Sequence, residues 1–261
     1  MPSVVFFMLD GVRPDALAAA HCPNIAGLRA RGSWTLRARS VMPSITLPCH
    51  MSIFHSVPPT RHGITSNTWT PMARPLPGLV EVLHAADQHA GFAYNWEPLR
   101  NLSQPERLAF SYFRDHNKTP NPDHVVAEEA ARYLANDRPD FLFVYFGAVD
   151  NIGHDHGWMS SEYLAQLENV DAALGTVLNA LPDGYAVVLQ ADHGGHDRGH
   201  GTDSPEDMTI PWLAAGPGIR QNYEIKEAVS LLDTTPTIAR LLGLKPHGEW
   251  EGKGVEEIFE A

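Results

Sequence analysis

Three uninterrupted apolar runs of strand length lie along the chain, and each leads to an aspartate. Residues 4–9 read VVFFML and meet Asp10, residues 141–146 read FLFVYF and lead to Asp150, and residues 186–189 read AVVL and lead to Asp192. Runs without polar alternation suit strands covered on both faces, as in a parallel sheet flanked by helices. Between them, residues 22–31, 123–136 and 161–180 place apolar side chains near helical spacing, the first with a proline near its start and a glycine after its end. Near the C-terminus LLDTTPTIARLLGL reads as a turn with a proline at a helix start. This alternation predicts an α/β fold with right-handed crossovers. Residues 68–122 break the pattern: TWTPMARPLPG and RDHNKTPNPD are rich in proline and polar residues. They are expected to form surface connections or a small lid within one domain spanning 1–261.

Composition narrows the class. With 261 residues and 43% hydrophobic content the chain can build one sizeable core. A formal charge of −12 argues against a nucleic-acid-binding surface, because a phosphate backbone is repelled by it. Bound metal ions could still create a local positive centre for a small anion. Cys22 and Cys49 allow at most one bridge, so no disulfide framework is expected. The opening MPSVVFFMLDG lacks the basic start and long apolar region of a signal peptide, and no run approaches about 18 apolar residues. A cytoplasmic protein without a membrane partner is the expectation.

The stretch VVLQADHGGHDRGHGTD, residues 187–203, packs three histidines and three aspartates behind an apolar run. In an open α/β sheet, ligands bind beyond the carboxyl ends of the strands. A lone strand-end aspartate is ordinarily a cap or turn residue. Three of them, with His154, His193 and His200 nearby in sequence, suit metal coordination better. In DNIGHDHG, His154 follows Asp150 by four residues, a separation that one turn of chain folds back onto a shared ion. Mixed oxygen and nitrogen ligands favour Zn²⁺ or Mn²⁺ over Ca²⁺ or Mg²⁺. A single zinc needs four ligands, whereas Asp10, Asp150, His154, Asp192, His193 and His200 offer six, which points to two divalent ions roughly 4 Å apart. A structural metal clip would be cysteine-rich, and neither cysteine falls near this loop.

LDG, PSITLPCH, RHGITSN, DNIGHDHG, ADHGGHDRGHG and IPWLAAGPG, in that order from residue 8 to about 219, resemble the successive motifs of the alkaline phosphatase superfamily. The resemblance is nearest to its branch of type I phosphodiesterases and nucleotide pyrophosphatases, and VSLLDTTPTIARLLGL resembles the superfamily's closing segment. It implies a doubly wound, mostly parallel sheet with helices on both faces and two metal sites. One comprises Asp10, Thr46, Asp192 and His193. The other comprises Asp150, His154 and a final histidine, for which His200 matches best while the loop also offers His196. It further implies Thr46 as the nucleophile of a phosphothreonine route, with Ser44 as the competitor, and Asn67 as a donor to a phosphoryl oxygen. Cys49 departs from the family, whose diesterases often carry asparagine there. The implied activity is hydrolysis of a small-molecule phosphodiester or pyrophosphate.

Two rivals share the same metal frame: phosphonate hydrolysis and phosphomonoester hydrolysis. The latter rewards a cationic clamp, for which Arg61, Arg100, Arg107, Arg114 and Lys118 are candidates. Sulfate ester chemistry is disfavoured, since Cys49 is followed by HMSI without the proline and arginine of that motif. A non-catalytic metal-binding protein is the non-enzyme alternative. Trp69, Tyr94 and Trp96 are candidates for stacking a base.

Overall fold

The computed structural model describes residues 2–104 and 106–260. One sheet joins eight strands: β1 (Ser3–Leu9), β2 (Gly32–Arg39), β3 (Ala90–Tyr94), β4 (Phe110–Phe113), β5 (Phe141–Phe146), β6 (Tyr185–Gln190), β7 (Thr209–Ala215) and β8 (Tyr223–Glu224). Their order is β4-β3-β5-β1-β6-β7-β2-β8, and β7 alone runs against the others. The three apolar runs of the sequence are the adjacent strands β5, β1 and β6, with Val4 opposite Phe141 and Val5 opposite Val187. Every residue of β5 and β6 is buried, as the lack of alternation requires.

Among the described residues ten α-helices accompany the sheet: α1 (Ala16–Ala19), α2 (Pro23–Ala30), α3 (Thr46–His55), α4 (Pro59–His62), α5 (Leu79–Ala85), α6 (Pro122–Asp137), α7 (Ala148–His156), α8 (Ser161–Asn179), α9 (Pro205–Met208) and α10 (Thr234–Leu241). Neighbouring residues of a strand point to opposite faces, and β5 shows the result. Phe143 meets Phe54 of α3 edge to face at 5.0 Å, joined by Phe92 and Phe6. On the other face, Tyr133 of α6 closes over Gly91, the register partner of Leu142, 2.8 Å from where a side chain would begin. Each aromatic pair adds about 0.5–1.5 kcal/mol beyond its area, so this cluster pins α3 firmly to the sheet.

Residues 68–122 hold more than the expected surface connections or lid. Their middle supplies α5, β3 and β4, two strands that extend the sheet edge, while only the proline-rich flanks are surface connections. The short runs HAGFAY and AFSYF are too short to stand out by periodicity; pairing of β3 with β5, and of β4 with β3, decides their state. Cys22 and Cys49 are both free and buried. Among the described residues no helix is long and apolar enough to cross a membrane.

Because β1, β2, β3, β5 and β6 run the same way, their carboxyl ends share one edge. That edge receives Asp10, the start of α3, Trp96, α7 and the Asp192–His193 pair.

Candidate active site

Asp10 follows β1 directly, and the glycine after it is required by geometry. Gly11 has φ +69°, and a Cβ there would sit 3.0 Å from Asp150 Oδ1. Its N–H and that of His193 both donate to Asp192 Oδ1, at 3.3 and 3.0 Å, which fixes the carboxylate and leaves Oδ2 turned to the cleft without a partner. The Gly11 carbonyl accepts from Trp158 Nε1 and Tyr163 Oη, both at 2.9 Å.

Thr46 is the first residue of α3, and its Oγ1 lies 3.2 Å from His193 Nε2. A helix N-terminus favours negative charge on an oxygen placed there. Asn67 Oδ1 accepts from the Leu47 N–H at 2.9 Å, so the amide that helps cap α3 keeps its Nδ2 as a donor for the cleft. Ser44 is committed elsewhere: its hydroxyl donates to the Thr202 carbonyl at 2.7 Å. Cys49 packs behind the site with Sγ 3.3 Å from Ser40 Oγ, which in turn donates to the Asp192 carbonyl. Burial pushes the Cys49 thiol up, so it stays protonated and acts as packing.

Asp150 and His154 share one face of α7, one turn apart, with Nε2 3.4 Å from Oδ2. His200 brings its Nε2 to 3.6 Å from Asp150 Oδ1 and stacks on His193 at 3.8 Å. His196 points away and pairs with Asp207 Oδ1 at 2.8 Å. Three imidazoles follow one rule. His154 Nδ1 lies 3.0 Å from the Arg198 carbonyl, His193 Nδ1 2.8 Å from that of Gly194, and His200 Nδ1 2.8 Å from that of Ser44. Each Nδ1 is thereby satisfied by backbone, and each Nε2 is turned to the carboxylates.

The donor set fits two cations. Asp10, Asp192 and His193 offer ligand atoms within 4.8 Å of one another, as do Asp150, His154 and His200. Asp10 Oδ1, Asp150 Oδ1 and Asp192 Oδ2 are buried without hydrogen-bond partners, and no lysine or arginine lines this cleft among the described residues. Burial, then the charges of Asp192 and Asp150, push Asp10 well above the usual carboxylate range. Burial also raises Asp192. Such a concentration of acid without hydrogen-bond partners is relieved either by protonation, the direction in which Asp10 and Asp192 are pushed, or by positive charge placed between the side chains. Burial lowers His193, and it lowers His200 to about 4 with help from His193, so both rings present neutral nitrogen. His154, hydrogen-bonded to Asp150, is instead raised to about 9.

Several supporting residues carried no signal in the sequence. Tyr145, next to last in the apolar run FLFVYF, donates its hydroxyl to Asp10 Oδ2. Trp158 packs edge-on against His154 and His200, at 5.1 and 5.9 Å. Gly195 exists to admit that ring, since its Cβ would fall 2.3 Å from Trp158 Cε2. Buried His50 lies under Thr46 with Nδ1 2.7 Å from its carbonyl. Asp123 Oδ1 accepts from Asn95 Nδ2 at 2.6 Å and from the Gly147 N–H at 3.1 Å, anchoring the start of α7; burial raises Asp123 to about 6. Trp96 lines the cleft, whereas Trp69 and Tyr94 line other cavities. Arg61 pairs with Glu249 and Glu251, Arg100 with Glu97, and Lys118 with Asp115, while Arg114 lies over Tyr112. Neither these nor Arg107 line the cleft.

A sequence model of type I phosphodiesterase / nucleotide pyrophosphatase matches residues 4–119 and 86–204. Mouse ectonucleotide pyrophosphatase/phosphodiesterase family member 1 is 26% identical over 219 residues, covering 74% of this chain and 24% of that protein. An uncharacterized pyrophosphatase/phosphodiesterase of Schizosaccharomyces pombe is 27% identical over 218 residues, covering 74% of this chain and 44% of its own. The chain therefore spans less than half the length of these curated relatives. Among solved structures, the murine ectonucleotide pyrophosphatase/phosphodiesterase 5, in an inactive form in complex with AMP, superposes with a TM-score of 0.82 at 16% identity over 100% of both chains. A 2-O GAG sulfatase superposes at 0.79 with 18% identity, over 97% of this chain and 73% of that one. At such identities these likenesses speak to the fold.

Proposed function

Because the chain belongs to the type I phosphodiesterase / nucleotide pyrophosphatase family, we propose that it hydrolyses small-molecule phosphodiesters through a phosphothreonine at Thr46. We assign one divalent cation, Zn²⁺ or Mn²⁺, to Asp10, Thr46, Asp192 and His193, and a second to Asp150, His154 and His200. Bound there, the ions supply the positive charge that favours a Thr46 alkoxide and offsets charge on the transferring phosphoryl group. Thr46 Oγ1 attacks phosphorus in line, and the ester bond on the opposite side breaks to release the first alcohol. Asn67 Nδ2 donates to a phosphoryl oxygen as charge grows on it. Tyr145 and the two N–H groups on Asp192 hold the carboxylates in place. Water then cleaves the Oγ1–P bond from the opposite side, so two in-line steps leave the configuration at phosphorus unchanged.

The observation that supports this reading is the cleft itself: Thr46, Asn67, Asp10 of the first cluster and all of the second cluster line it, with no arginine or lysine among the described lining residues. A diester carries a single negative charge, whereas a monoester's second charge rewards a cationic clamp. The test is a metal-reconstituted panel of bis(p-nitrophenyl) phosphate, p-nitrophenyl phosphate, a p-nitrophenyl phosphonate and a dinucleotide. The last arm is motivated by the AMP held by the murine relative's structure. Diesters should be turned over fastest, and Thr46→Ala should lower kcat by on the order of a thousandfold or more with metal content retained. Turnover that survives Thr46→Ala would overturn the phosphothreonine route, and full metal content without turnover of any ester would favour a non-catalytic metal-binding protein.

A further inference from the structure

Beside the catalytic cleft, and sharing His116, Asn151 and His154 with it, lies a second chamber of about 410 Å³ between the loop preceding α6 and helices α7 and α8. Five of its lining side chains are amides: Asn117, Asn121, Asn151, Gln166 and Asn169. Asn151 Nδ2 donates to His116 Nδ1 at 2.8 Å, leaving Asn151 Oδ1 as an acceptor and the proton of the neutral ring on His116 Nε2. His116 is held from behind as well, its backbone N–H donating to the Asn95 carbonyl at 3.0 Å. Asn169 Oδ1 is taken by His124 Nε2 at 2.9 Å, so its Nδ2 is the end left to donate.

The chemistry of this lining excludes two kinds of occupant. No arginine or lysine lines the chamber among the described residues, and Asp155 does, so an anionic group such as a second phosphate is repelled. Among the described lining residues the only aromatic rings are the imidazoles of His116 and His154, which removes the broad aromatic platform a nucleobase stacks on. A neutral group with several hydroxyls, each both donor and acceptor, matches fixed amides on several sides. Location assigns the role. Thr46 Oγ1 sits with His193 of the first cluster, and in-line displacement puts the leaving oxygen on the far side, beside Asp150, His154 and His200. The chamber shares His154 with that second cluster and no residue with the first.

Building on the phosphodiesterase reading above, we propose that this chamber is the leaving-group subsite and that it selects a neutral polyhydroxylated alcohol, a polyol or a sugar. In the reaction the Thr46 Oγ1–P bond forms, the P–O bond to the polyol breaks, and the departing oxygen takes up one proton to balance the one lost from Thr46.

The test is binding by titration calorimetry to full-length, zinc-loaded Thr46→Ala protein. The ligands are methyl phosphodiesters of glycerol, myo-inositol and glucose, against methyl butyl phosphate; the three polyol arms separate the sources. At least one polyol diester should bind about tenfold tighter than the butyl diester, as two or three hydrogen bonds warrant. Gln166→Leu/Asn169→Leu should bring that preference within about threefold, and Asn117→Leu on the loop should lower it without touching helix packing. Equal or tighter binding of the butyl diester, or full preference in both variants, overturns the proposal. Hydrolysis of bis(p-nitrophenyl) phosphate by the unsubstituted enzyme, run in parallel, judges the diesterase reading separately. Turnover without polyol preference sinks the subsite alone, and polyol preference without turnover sinks the diesterase reading and with it the leaving-group role, leaving a polyol-binding chamber.

Discussion

Tyr145→Phe isolates a single hydrogen bond at the heart of the site. The ring is 1% exposed and lies edge-on to His50 at 5.4 Å, so phenylalanine keeps the packing and loses only the hydroxyl that donates to Asp10 Oδ2. Because Asp10 Oδ1 already lacks a partner, the substitution leaves the whole carboxylate unsupported. A hydrogen bond to a charged group contributes about 1.5–3 kcal/mol, and loss of a residue that orients a ligand typically costs about 10–100-fold in metal affinity. The two ranges agree at about 1.4 kcal/mol per tenfold. The metal-free protein adds a signed test. Asp10 is raised well above the usual carboxylate range by burial, then by Asp192 and Asp150, and the Tyr145 bond opposes that rise. A group whose folded pKa is raised contributes stability that is present at low pH and lost as pH rises through the folded value. Removing the hydroxyl raises Asp10 further, so the stripped variant should lose more stability relative to wild type at high pH than at low pH. Zinc competition against a chromophoric chelator measures the first effect, and urea denaturation of stripped protein across pH measures the second. Zinc affinity within twofold of wild type, together with a pH-independent stability difference, would refute the reasoning.

Further outcomes follow from other contacts. Gly195→Ala drives a methyl into Trp158 and displaces the ring that backs His154 and His200. It should cost about 1–3 kcal/mol by thermal melting and reduce bound zinc; a wild-type melt with full metal would count against Trp158 as the wall of the site. His200→Ala should remove one metal equivalent by elemental analysis while His196→Ala keeps both, because His196 is committed to Asp207; the reverse pattern would move the ligand to His196. Burial raises the Asp123 carboxyl from its ordinary 3.8 to about 6. Its contribution is therefore present below about pH 4 and lost as pH rises through 6, and wild type should lose on the order of 3 kcal/mol relative to Asp123→Asn over that window. Denaturant midpoints that shift in parallel for both proteins would show that Asp123 does not titrate there.

Continuous apolar runs announced β1, β5 and β6 because strands buried on both faces leave no room for polar alternation. The aspartates and histidines beyond them were legible for a related reason, since ionisable groups crowded at strand ends have few uses except a site. The four-residue spacing of Asp150 and His154 suggested that one turn of chain brings them together; that this turn belongs to the helix α7 came from the structure. By contrast β3 and β4 were hidden between proline-rich stretches, since β3 depends on β5 far along the chain and β4 depends in turn on β3.

What the sequence determined alone was which residue types the fold delivers to one sheet edge, because periodicity and ligand chemistry are local properties. Only the tertiary structure decided which atoms meet. It turned His196 toward Asp207 and His200 toward Asp150, made Tyr145 a partner of Asp10, and tied His116 to Asn151 beside an amide-lined chamber. Those outcomes depend on the packing of α3, α7 and α8 over the sheet, where residues as far apart in sequence as Ser44 and His200, 156 positions, come within hydrogen-bonding distance. No local pattern encodes a contact between such remote positions.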